Sequence, residues 1–386
     1  MSDPSFSDSS ERSVDSDPGF ASLVGQVVSG RYRVEAELGT GGMGAVYRAE
    51  HTLMRKRLAI KVLHPEMTRQ PEVVARFERE AMAAAHIEHP NVAAATDFGK
   101  LEDGSFFLVL EYVEGRSLRE VLDAEQLGPS RVLHIGKQIT SALVRAHSLG
   151  IVHRDLKPEN VMLVKRDDDP DFVKVLDFGI AKVPVAEITK ETGRPHKALT
   201  QAGMVYGTPE YMAPEQALGR EVDARADLYA LGVMFYEMLS GRRPFEADNP
   251  VTLLGMQVTQ CPPPFAKTAP TRPIPTELEA LVMELLEKEA ERRPTDARQV
   301  LDAIEQTRLT LADPNSWPSQ ASVQAVGAAD TVFRLGPETN SGRVVIRLRQ
   351  QSEGLVVLAE RVSRGLESAQ RLIRFSYVSE QASILR

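Results

Sequence analysis

The stretch Gly39-Thr40-Gly41-Gly42-Met43-Gly44-Ala45-Val46-Tyr47-Arg48-Ala49 decides the fold. Four glycines in its first six positions let the backbone approach a ligand closely and aim amides at phosphate oxygens. A G-x-G-x-x-G run also opens dinucleotide-binding domains, but there a helix starts directly after the third glycine, with its N-terminus on the pyrophosphate. Here Ala45 to Ala49 alternates as a strand, and upstream Tyr32, Val34, Ala36 and Leu38 alternate in the same way. The spacing therefore predicts a strand-loop-strand hairpin whose tip covers phosphates as a flap.

Working outward, Leu58-Ala59-Ile60-Lys61-Val62-Leu63 is an apolar strand carrying one ammonium group. Residues 71 to 85 have helical spacing, with Val73, Phe77, Ala81 and Ala84 on one face and Glu80 projecting from it. A charge on an apolar face is costly unless paired, so Lys61 and Glu80 are expected to pair with each other. Strands are expected over 93–98 and 106–112, closing a small lobe near Val113, with Glu114-Gly115 as a hinge and Ser117 as the cap of the next helix.

Residues 130 to 149 carry helical apolar spacing closed by Gly150, and deliver the chain to Val152-His153-Arg154-Asp155-Leu156-Lys157-Pro158-Glu159-Asn160. So many ionisable groups in nine residues cannot form a core, and Pro158 cannot simply continue a helix. The segment reads as a loop presenting polar groups. Two short strands follow, over 161–164 and 172–176, around an acidic turn at 167–171 expected to be a solvated hairpin tip. Asp177 stands at a strand end beside Phe178-Gly179, where a metal-binding carboxylate is expected. The polar run 180–206 includes Thr189, Thr192 and Thr200, and a loop this long in a compact domain is usually functional or disordered. Residues 227–239 form a helix apolar nearly all round, hence a buried axis, with Asp227 as a buried carboxylate or an N-cap. Helices are expected over 276–288 and 295–309. A linker over 309–342 leads to a tail over 343–386, with a short strand at 343–349 and heptad spacing from Gly354 that suggests an amphipathic helix. Residues 1–30 are a Ser- and Asp-rich leader expected to be disordered.

A length of 386 residues, 42% hydrophobic and 26% charged, suits two or three folded units. A net charge of −8 argues against a nucleic-acid binder held by a global positive field. The single cysteine, Cys261, excludes an intrachain disulfide and a thiolate zinc cluster, and no apolar run is long enough to span a bilayer. A cytoplasmic location, without membrane or nucleic-acid partners, is the expectation.

Taken together, Gly39-x-Gly41-x-x-Gly44-x-Val46, Leu58-Ala59-Ile60-Lys61, Glu80, His153-Arg154-Asp155, Asn160, Asp177-Phe178-Gly179 and Ala213-Pro214-Glu215 resemble the eukaryotic-like (Hanks-type) serine/threonine protein kinases of bacteria, over residues 31 to 308. The resemblance implies an α+β, two-lobed protein kinase fold, with a small mainly β N-lobe (31–113) and a larger mainly α C-lobe (114–308). It implies ATP in the cleft, under a flap of Leu38, Gly39, Thr40, Gly41, Gly42, Met43, Gly44, Ala45 and Val46. The adenine would meet the backbone of Glu111 and Val113 and the side chains of Val46, Ala59, Leu110 and Met162. Lys61, oriented by Glu80, would hold the α- and β-phosphates, and Asn160 and Asp177 would carry Mg²⁺. Asp155 would orient the acceptor hydroxyl and take its proton, while Lys157 steadies the γ-phosphate. Arg154 would pair with a phosphorylated loop residue, Thr200 being the first candidate, and Glu215 would pair with Arg293. His153 would pack on Phe178. Partners would be proteins bearing Ser or Thr, with a homodimer for trans-autophosphorylation. The alternative is a pseudokinase scaffold acting through its tail, which should lack one of Lys61, Asp155 or Asp177.

Overall fold

The computed structural model describes residues 23–41, 44–178, 208–312, 343–351, 354–362 and 372–373, with the side chains of Glu72, Arg76, Arg79, Glu80, Ala83 and Ala312 and those of the tail left outside the description. Contacts divide the chain into two units, Met1–Thr307 and Arg308–Arg386. In the first, β1 (Val27–Val28), β2 (Tyr32–Gly41), β3 (Gly44–His51) and β4 (Arg57–Leu63) precede α1 (Pro65–Thr68), α2 (Pro71–His86), β5 (Ala95–Lys100) and β6 (Phe106–Glu111). The six strands form one antiparallel sheet in the order β1-β2-β3-β4-β6-β5.

Alternation divides the sheet's work. Ala45, Tyr47, Ala49, Leu58, Ile60 and Val62 are buried in one core, while Val46, Ala59 and Lys61 point to the opposite face. A second cluster of Leu63, Phe77, Ala81 and Leu108 fixes α2 to the sheet. At the root of the flap a Cβ on Gly44 would lie 2.0 Å from the Val62 carbonyl oxygen, so only glycine lets β3 cross β4 there. The chain leaves this sheet past Gly115, where a Cβ would lie 2.4 Å from the Leu163 carbonyl oxygen.

The helical part begins with β7 (Arg116–Ser117) and α3 (Leu118–Ala124), whose capping box is the reciprocal pair Ser117 and Glu120. Then come α4 (Pro129–Ser148), β8 (Val161–Arg166), β9 (Asp169–Val175), α5 (Pro214–Ala217), α6 (Arg225–Ser240), α7 (Pro250–Thr259), α8 (Phe265–Thr268), α9 (Thr276–Leu285) and α10 (Ala297–Ala312). Every residue of α6 from Ala226 to Ser240 is buried, as its apolar sequence requires. It packs so closely on α4 that a Cβ on Gly136 would lie 2.1 Å from the Phe235 ring.

Four sequence expectations change. Val27 and Val28 pair with Arg33 and Tyr32, so the leader assigned to 1–30 gives way to the sheet before its end; two-residue strands lack the length that periodicity needs. The acidic segment is not all solvated: Asp171 is buried against Arg131 and Asp169 bonds His134, leaving Asp167 and Asp168 at the tip. Helix α7 went unassigned, although Asn249 caps it by accepting from the Thr252 amide and Pro250 starts it. In the second unit the tail from Gly354 is a strand, not a helix. β10 (Arg343–Gln351) pairs with β11 (Gly354–Val362) along its whole length, and β12 (Leu372–Ile373) adds to β11. The run Leu355-Val356-Val357-Leu358 is apolar on both faces of a strand, which counterfeits a heptad, and its β-branched residues favour the extended form.

Candidate active site

Register alone brings the first residues together. Val46 lies opposite Lys61 across β3 and β4, and Ala59 lies opposite Leu110 across β4 and β6. Val46, Ala59, Leu110, Glu111, Val113 and Met162 are all half-buried, as residues lining a cleft should be. The Lys61 Nζ lies 3.2 Å from Asp177 Oδ2, so the lysine reaches the carboxylate that follows β9. The expected Lys61–Glu80 pair involves a side chain outside the described residues; among the described residues Lys61 meets Asp177. Glu111 is held by Lys174, 2.9 Å away, which ties the end of β6 to β9. Gly42, Met43, Gly179 and Thr200 lie outside the described residues.

The loop from His153 to Asn160 is built on backbone bonds. His153 is fully buried, its ring centroid 4.8 Å from that of Phe178. Its Nδ1 accepts from the Asp155 amide, so Nε2 must donate to the Leu176 carbonyl at 2.9 Å. Arg154 and Asp177 adopt φ of 63° and 52°, a left-handed region costly for non-glycine residues. What holds the first is Asp227, 1% exposed, whose oxygens accept from the amides of His153 and Arg154, both at 2.8 Å, and from His147 Nε2 at 2.8 Å. Ala224, not Asp227, occupies the N-cap of α6, so the carboxylate caps the loop rather than its own helix.

At the loop's working end the Lys157 Nζ donates to Thr208 Oγ1 at 2.8 Å and lies 3.5 Å from Asp155 Oδ2. Thr208 Oγ1 is 3.5 Å from Asp155 Oδ1. A carboxylate, an ammonium and a hydroxyl thus share one point. Asn160 donates Nδ2 to the Asp155 carbonyl, and its own carbonyl accepts from the Leu176 amide, which locks Asn160 beside Asp177. A carboxylate and an amide oxygen are hard donors that suit Mg²⁺ and its retained waters. The segment after Thr208 is anchored from beneath: Glu215 accepts two bonds from Arg293, both at 2.7 Å, and the arginine side chain is fully buried.

Sequence reading did not find the clamp role of Asp227, because its partners are backbone amides. Nor did it find the contact of Arg119 with Glu237 at 2.7 Å beside Tyr211, for which sequence carries no signal.

A small antiparallel lobe with a glycine flap and a lysine, together with a helical lobe whose polar loop is clamped by a buried carboxylate, defines the two-lobed protein kinase fold. The model of the protein kinase domain matches residues 32–304, and the chain belongs to that family, in its bacterial serine/threonine branch. It is 44% identical over 292 residues to serine/threonine-protein kinase pkn3 of Myxococcus xanthus, covering 75% of this chain and 52% of that protein. It is 34% identical over 371 residues to PknA of Mycobacterium tuberculosis, covering 94% and 78%. The crystal structure of the PknI kinase domain from the same bacterium superposes with a TM-score of 0.56 at 27% identity, covering 74% of this chain and 99% of that one. The chain spans about half the length of pkn3.

Proposed function

We propose that the chain is an ATP-dependent protein-serine/threonine kinase. The convergence of Asp155, Lys157 and Thr208 at hydrogen-bonding range, with Lys61 and Asp177 paired across the cleft, carries this reading. Asp155 accepts the proton of the acceptor hydroxyl as that oxygen bonds to the γ-phosphorus, and the bond from that phosphorus to the oxygen it shares with ADP breaks. The Lys157 ammonium pairs with the transferred group. Lys61 holds the remaining phosphates, while Asn160 and Asp177 would hold magnesium, which would supply charge neutralisation when bound. Little covalent work falls to the protein, so rate comes from positioning and electrostatics. A second copy is a natural first substrate, with Thr200 as the acceptor and Arg154 as the cation that receives its phosphate. We place the protein in the cytoplasm.

The test is incubation of the purified chain with Mg²⁺ and γ-labelled ATP. Label should enter serine and threonine; Asp155→Asn should abolish transfer with nucleotide affinity nearly intact, and Thr200→Ala should lower activity on substrates in trans. A wild type silent under varied metal and nucleotide would leave a scaffold.

A further inference from the structure

The residues that place the acceptor side of the site do not all touch it. Thr208 opens a one-turn 3-10 helix, Pro209–Tyr211. The Glu210 carbonyl of that turn accepts from Gln257 Nε2 at 2.7 Å and the Pro209 carbonyl accepts from the same nitrogen at 3.3 Å. Gln257, on α7, is fully buried. A buried amide is costly unless bonded, and this one is bonded at both ends, since Gln257 Oε1 accepts from the Tyr229 hydroxyl at 2.6 Å. The Tyr229 oxygen in turn accepts from Lys288 Nζ at 2.9 Å.

The direction of the chain is forced. Lysine only donates, a phenol has one hydrogen, and an amide turned round would set its oxygen against two carbonyls. Proton donation therefore runs one way, from Lys288 through Tyr229 and Gln257 to the turn that carries Thr208, with a cation at its head. Such chains polarise one another in a buried setting. Burial raises the Tyr229 hydroxyl well above its usual range, which keeps it a donor.

Lys288 is positioned for this task. Its Nζ lies 4.2 Å from the Phe245 ring centroid and 5.2 Å from that of Tyr229. The charged and titratable groups around it are Cys261, Arg293, Glu287 and Tyr229, with Glu215 beyond Arg293. Arg293 stands over the Tyr229 ring and donates to the Lys288 carbonyl.

We infer that Gln257 is a positioning residue for phosphoryl transfer to protein acceptors, held by Tyr229 and polarised by Lys288, so that Thr208 meets Lys157 and Asp155 at the right height. The inference rests on the kinase reading. None of these contacts reaches Lys61, Asp177 or Glu111, so the nucleotide side should be indifferent to them. The misplacement of a reacting group by about 1 Å costs on the order of 100-fold in rate, which sets the scale of the effect.

The experiment measures steady-state transfer to a serine-containing protein acceptor by the full chain, with amide hydrogen exchange of residues 208–212 in parallel. Gln257→Met, which cannot donate to the Glu210 carbonyl, should lower kcat for the acceptor by about 10- to 100-fold with the KM for ATP unchanged. Gln257→His keeps a donor and an acceptor and should recover part of the loss. Wild-type kcat should fall as pH rises through about 8, the value to which burial lowers Lys288, and Lys288→Arg should remove that limb. Exchange at Tyr211 and Met212 should quicken in Gln257→Met. Equal kcat, pH profile and exchange in wild type and Gln257→Met would overturn the inference. If the wild type phosphorylates no protein at all, the kinase reading fails, and the exchange measurement alone decides whether Gln257 positions the turn.

Discussion

Replacing Asp227 by asparagine should unfasten the catalytic loop without emptying its core. In the native protein one carboxylate, 1% exposed, accepts three bonds of 2.8 Å, from the amides of His153 and Arg154 and from His147 Nε2. An asparagine of the same shape offers one oxygen, and its NH₂ group then faces a backbone N–H that has no other acceptor. Bonds to a charged group contribute roughly 1.5–3 kcal/mol each, so losing one and weakening the rest should cost about 3 kcal/mol. That is a large share of a domain stability of roughly 5–15 kcal/mol. Arg154 supplies the control. Its φ of 63° costs a non-glycine residue about 1–2 kcal/mol, and the clamp is what maintains it. In wild type, losing the clamp also releases that strain, which offsets part of the cost; in an Arg154→Gly background there is no strain to release, so Asp227→Asn should cost about 1 kcal/mol more there than in wild type. Urea unfolding of the four proteins gives the cycle. A change under about 0.5 kcal/mol for Asp227→Asn, or the same cost in both backgrounds, would refute the clamp.

Two further perturbations test neighbouring parts. Glu215→Ala should destabilise by about 3–5 kcal/mol, because it strands a fully buried guanidinium, whereas Glu215→Leu combined with Arg293→Met should cost less than the sum of the singles; thermal unfolding of the set reads both. For Lys288 the folded-state value near 8 lies below the ordinary 10.5, so the unfolded chain binds the proton more tightly between those values, and the burial penalty, full below pH 8, is relieved as pH rises towards 10.5. The unfolding free energy of wild type minus that of Lys288→Met should therefore increase from pH 7 to pH 9.5, and a flat difference would remove the burial argument.

The residues proposed for catalysis were legible in the sequence for a physical reason. At Lys61, Asp155, Lys157, Asn160 and Asp177 the proposed role belongs to the side chain itself, so residue type and spacing carry it. The sheet was legible too, since Ala45, Tyr47 and Ala49 alternate with Val46 and Arg48 as burial demands. What escaped was set by partners far along the chain. Asp227 acts on amides of residues 153 and 154, and Gln257 on carbonyls of residues 209 and 210, and neither pairing leaves a local pattern. The tail failed differently. Leu355 to Leu358 fits both a helical seam and a strand, and the deciding fact, pairing of Gln351 with Gly354 through to Arg343 with Val362, lies outside any window on the segment itself.

A common logic joins these buried polar residues of the first unit. Asp227, Gln257, Arg293 and Asn91 are each buried, and each bonds main chain: Asp227 to the catalytic loop, Gln257 to the turn after Thr208, Arg293 to the carbonyls of Arg225, Glu287 and Lys288, and Asn91 to that of Val173. Loops cannot satisfy their own backbone groups as helices and strands do, so a loop packed against a core must borrow partners from it. A hydrophobic core alone would leave those amides and carbonyls unpaired, at roughly 1–3 kcal/mol each. The apolar surroundings of α6 make the few polar side chains embedded in them strong and directional, and those side chains aim at the loops that carry Asp155 and Thr208. The rigidity that positional catalysis requires is thus supplied from inside the helical lobe, by residues that never meet the substrate.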